Sequence, residues 1–88
     1  VARRLVIGGR VQGVGFRWFA YEAAAREGVT GWVRNLPDGC VEMHVEGEAD
    51  AVTRVERALR HGPPAACVEY VDVDIEEPSD AYREFSIT

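Results

Sequence analysis

The chain has 88 residues, 47% of them hydrophobic, with ten arginines, no lysine, fifteen acidic residues and a net charge of −5. That length suits one domain, residues 1–88, with a thin core, and no apolar run approaches the roughly 20 residues needed to span a bilayer. The acidic balance opposes general nucleic-acid binding, and Cys40 and Cys67 lack the paired spacing of a zinc site, so two buried or half-buried free thiols in strands are expected.

Arg4 to Arg10 carries Leu5, Val6 and Ile7 and reads as a buried strand. A glycine-rich loop follows. From Arg17 to Glu27 the spacing is helical, with Phe16, Phe19, Ala20, Ala23 and Ala24 on one side and Gly28 as the stop. Val29 to Leu36 is a second strand, and Pro37-Asp38-Gly39 is turn chemistry. Cys40 to Glu46 is a third strand. Val41, Met43 and Val45 alternate there with Glu42, His44 and Glu46, which predicts one buried face and one wet face.

Glu48 to His61 is a second helix with Val52, Val55 and Leu59 as its apolar stripe, ended by Gly62-Pro63-Pro64. Cys67 to Ile75 is a fourth strand. Val68 falls out of phase with Val71, Val73 and Ile75, which points to a bulge near Glu69–Tyr70. Glu76 to Ala81 is an exposed acidic turn, and Tyr82 to Ile87 is a short last strand. The order β-α-β-β-α-β plus a terminal strand is that of an α+β, ferredoxin-like α/β sandwich. Two helices cover one face of an antiparallel sheet in that arrangement.

The loop carries the chemistry. Gly13 and Gly15 permit a turn that a Cβ would obstruct. The N–H groups of Gln12, Gly13, Val14, Gly15 and Phe16 can then form an anion cradle. The start of the following helix adds unpaired donors and a partial positive charge. Arg17 supplies a permanent cation with a fork of donors matched to phosphate oxygens. Residues 1–44 hold six arginines and four acids, whereas residues 45–88 hold four arginines and eleven acids. The loop therefore sits in the locally basic half of an acidic chain, which suits a small anionic substrate. A Walker A loop is excluded because no Gly-Lys-Ser/Thr occurs. A dinucleotide fingerprint is excluded because Trp18 stands where its third Gly is needed.

Gly9-x-Val11-Gln12-Gly13-Val14-Gly15-Phe16-Arg17 resembles the first signature of the acylphosphatase family. Gly31-Trp32-Val33-Arg34-Asn35, followed by Gly39-x-Val41 and Gly47, resembles its second. Weaker similarity continues through Gly62-Pro63-Pro64-Ala65-Ala66 to Phe85-x-Ile87, so the resemblance spans nearly the whole chain.

The resemblance implies the same fold and the hydrolysis of acyl phosphates to a carboxylate and inorganic phosphate. It assigns Arg17 to the substrate phosphate and Asn35 to the attacking water. Taken alone, Asn35 beside Pro37-Asp38 reads as a turn cap; the full second signature favours the water. The leaving carboxylate needs no protonation, so neither a strong general acid nor a metal or other cofactor is expected. A cytoplasmic monomer with no nucleic-acid or membrane partner is the expected setting. His44, His61, Arg10 and Arg34 read as structural or solvated side chains.

Two other readings compete. An RNA-recognition domain shares the element order, but strands one and three here lack aromatics. Large hydrogenase-maturation proteins begin with an acylphosphatase-like domain that acts on carbamoyl phosphate. In those a Pro usually follows the motif Arg; here Trp18 does.

Overall fold

The long apolar strand at the N-terminus becomes β1 (Ala2–Arg10), and the rest of the sheet forms around it. The computed structural model describes residues 1–88. After β1 come α1 (Phe16–Glu27), β2 (Thr30–Asn35), β3 (Val41–Glu46), α2 (Ala49–His61), β4 (Cys67–Glu76) and β5 (Phe85–Ile87). The strand order is β4-β1-β3-β2-β5. β1 runs antiparallel to both β3 and β4, and β2 runs antiparallel to β3.

β5 departs from the antiparallel expectation. It lies parallel to β2, pairing Gly31 with Phe85 and Val33 with Ile87, and makes the sheet mixed. The chain reaches it after β4, at the opposite edge, so it crosses the sheet and enters β5 in the direction of β2. The last strand is also shorter than the pattern suggested, because only Phe85–Ile87 pair.

Both helices bury their apolar stripes on one face. Ala20 and Ala24 of α1 and Val52, Val55 and Leu59 of α2 meet Leu5, Ile7, Val33, Val41, Met43 and Val45 of the sheet. Burying a Leu, Ile, Val or Met side chain contributes about 1.5–3 kcal/mol.

The bulge falls where the phase of β4 slips. Gly8 pairs with Tyr70 and Gly9 with Val68, which leaves Glu69 as the extra residue. The missing Cβ at Gly8 is what admits the Tyr70 ring against β1. The slip returns Val68 to the core side, where it packs against the central cluster. Both thiols are free; Cys40 is buried, whereas Cys67, opening the edge strand β4, is exposed, against expectation.

The second face of the sheet corrects the expectation of a wet surface. Glu42 and Glu46 are only 4% and 5% exposed. Arg4 Nε and Arg34 Nε each lie 2.6 Å from a Glu42 carboxylate oxygen. His44 lies between Glu46, at 2.6 Å from Nε2, and Glu76, at 2.9 Å from Nδ1. The segment after β4 folds over this face. Ser79 N and Asp80 N donate to Glu46 Oε1 at 3.0 and 3.1 Å, and Ser79 Oγ donates to Oε2 at 2.7 Å. Trp32 Nε1 donates to Tyr82 Oη at 3.1 Å.

Strand alternation says which face a side chain takes. It does not say what later covers that face. Burial alone would raise both carboxyls. For Glu42 the hydrogen bonds from Arg34 and Arg4 outweigh it and leave the pKa lowered. For Glu46 the donors from His44, Ser79 and Asp80 bring it down to about 2.

Candidate active site

The loop between β1 and α1 is pinned at both ends by buried side chains. Val11 and Phe16 are each 1% exposed. Between them Gly13 and Gly15 take φ of 73° and 78°, the left-handed region that a side chain disfavours. No side chain caps α1 and no acid sits in its first turn. The first helical bond of that turn runs from Phe19 N to Gly15 O, at 3.0 Å. The N–H groups before Phe19 thus lie at an uncapped, positive helix end.

Gly13, Gly15, Phe16 and Arg17 line a cleft of about 230 Å³ that also receives Val11, Trp18, Asn35 and Ile87. Arg17 is half-buried, and its Nη1 donates to the main-chain oxygen of Thr88 at 3.3 Å. It enters none of the ion pairs that occupy Arg4, Arg34, Arg54 and Arg60. No side-chain carboxylate of the chain pairs with it.

Asn35 reaches the cleft from the last position of β2. The turn-cap role that would explain it otherwise is filled by a neighbour. Cys40 N donates to Asp38 Oδ1 at 3.0 Å, and the turn is closed by Leu36 N to Cys40 O at 2.8 Å. Asn35 is thus left to face the same space as Arg17.

Gln12 and Val14 belong to the loop but do not line the cleft. Val14 packs against the core. Gln12 Nε2 crosses to the hairpin and donates to Leu36 O at 2.8 Å and Cys40 O at 2.9 Å. It joins the loop to the hairpin that carries Asn35.

Arg34 is turned to Glu42 on the opposite face, and Arg10 and His61 are exposed and outside the cleft. Sequence reasoning did not place Val11, Trp18 or Ile87 in the site. Trp18 carried a signal, since an aromatic residue next to Arg17 on the first turn of a helix shares its neighbourhood. Ile87 was marked only by its place in Phe85-x-Ile87, which said nothing of the site; the parallel pairing of β5 brings it there.

The arrangement can hold a tetrahedral anion by N–H donors and one guanidinium, with a neutral amide beside it. Comparison with known proteins points the same way. The Acylphosphatase family model matches residues 3–87. An acylphosphatase from Anaeromyxobacter dehalogenans is 51% identical over 87 residues, covering 99% of this chain and 94% of its own. The crystal structure of acylphosphatase from Bacillus subtilis superposes with a TM-score of 0.95 at 36% identity, covering 99% of this chain and 97% of that one. HypF from T. kodakarensis superposes with a TM-score of 0.85 at 30% identity, over 98% of this chain but 11% of that one.

Proposed function

The chain belongs to the acylphosphatase family and is a hydrolase of acyl phosphates, and we propose that residues 12–17 hold the phosphoryl group while Asn35 places the attacking water. An acyl phosphate is a mixed anhydride. The water oxygen attacks phosphorus, the phosphorus–oxygen bond to the acyl group breaks, and its electron pair leaves on the carboxylate. The products are a carboxylate, inorganic phosphate and a proton. Such a leaving group needs no proton donor, so the work is positioning and charge stabilisation.

Arg17 and the N–H groups of the loop and the α1 start face the charge on the phosphoryl oxygens. The Asn35 amide accepts a hydrogen bond from the water through its oxygen and stays neutral throughout. The observation that carries this reading is that Arg17 and Asn35, from different elements, line one cleft while Arg17 pairs with no side-chain carboxylate and Asn35 is not the turn cap. The reaction proceeds without a metal, on a small-molecule substrate, in a cytoplasmic monomer. Phosphate release from benzoyl and acetyl phosphate, with and without chelator, tests it. Turnover that chelator leaves unchanged is expected, and turnover that vanishes with chelator would overturn the metal-free mechanism.

A second reading follows from the likeness to part of HypF, in which this fold is one segment of a much longer chain. Selective turnover of carbamoyl phosphate, with acetyl and benzoyl phosphate left intact, would favour it.

A further inference from the structure

Arg17, Asn35 and the loop donors account for the phosphoryl end of the substrate, and the acyl end remains to be placed. The apolar lining of the cleft narrows the choice. Val11 and Phe16 are each 1% exposed and have almost no surface to offer, whereas Trp18 is 58% exposed and Ile87 40%. Trp18 is also held in place. Its ring stacks on Tyr21 with centroids 5.3 Å apart and planes 15° from parallel. Tyr21 in turn meets the buried ring of Phe85 at 6.5 Å. A ring stacked in this way has already lost much of its rotamer freedom and still presents apolar surface to the cleft.

Resting on the function proposed above, we propose that Trp18, braced by Tyr21, is the specificity-determining surface for the acyl group. The substrate class is acyl phosphates whose acyl group is aromatic or otherwise extended and apolar. An acetyl group is too small to cover the indole, whereas a benzoyl ring can lie against it. The phosphoryl site is common to both, so the surface acts on the choice between them.

The test compares kcat/KM for benzoyl and acetyl phosphate in the unaltered protein, Trp18→Ala and Trp18→Phe. The benzoyl-to-acetyl ratio is expected to fall roughly three- to tenfold in Trp18→Ala, the range of one aromatic contact. Most of the fall should appear in KM for benzoyl phosphate, and Trp18→Phe should retain most of the ratio. A ratio unchanged in Trp18→Ala, with both substrates still turned over, overturns this inference and leaves the proposed function standing. Turnover of neither substrate by the unaltered protein overturns the function and this inference together.

Discussion

Gln12 Nε2 lies 2.8 Å from the carbonyl oxygen of Leu36, so the glycine-rich loop is tied directly to the hairpin that carries Asn35. The same amide reaches Cys40 O at 2.9 Å. One side chain thereby sets the spacing between the two halves of the site.

Gln12→Ala should therefore lower kcat by about tenfold, since small misplacement of reacting groups is costly. It should also cost about 1–2 kcal/mol of stability for two lost hydrogen bonds. Steady-state kinetics beside urea unfolding checks both. Loss of stability with kcat unchanged would reduce Gln12 to a structural brace.

Arg17→Ala should lower kcat by on the order of 10³-fold or more, the cost of removing a cation aimed at a transferring phosphoryl group. Arg17→Lys should recover little, because a point charge does not reproduce the guanidinium fork. Thermal unfolding should change little in either variant, as the side chain makes one 3.3 Å hydrogen bond to the chain. Equal turnover in Arg17→Ala and the unaltered protein would remove Arg17 from the mechanism.

Asn35 and Asp38 should separate cleanly. Asn35→Ala is expected to lower kcat about 100-fold, more than it raises KM, while the unfolding temperature stays put. Asp38→Ala loses the bond to Cys40 N and should cost about 1 kcal/mol of stability with kcat preserved. The reverse pattern would make Asn35 the turn residue.

Glu46 should set part of the acid sensitivity. Its folded pKa is about 2, below the ordinary 4.5, so its contribution is fully present above about pH 4.5 and is lost as pH falls toward 2. Integrated over that window the contribution is on the order of 3 kcal/mol. Glu46→Gln should flatten the fall in unfolding free energy between those limits. A slope identical to that of the unaltered protein would show that other carboxylates carry the effect.

The parts of the fold readable from sequence were those with a local cause. Helical spacing placed the two helices, and the phase slip at Val68 located the bulge that leaves Glu69 unpaired. The glycines and Arg17 marked the loop by residue type. The parts that escaped are long-range. Nothing near Glu42 or Glu46 announces that Arg4, Arg34 and the segment at Ser79–Asp80 will converge on them. The parallel docking of β5, and with it Ile87 at the cleft, likewise depends on where the chain goes after β4.

That docking has a consequence for how competence is acquired. β5 must close a loop of some fifty residues to reach β2, an entropic toll met only once the rest of the sheet exists to receive it. A chain that has not yet docked β5 therefore carries the glycine-rich loop without the Ile87 wall of the cleft.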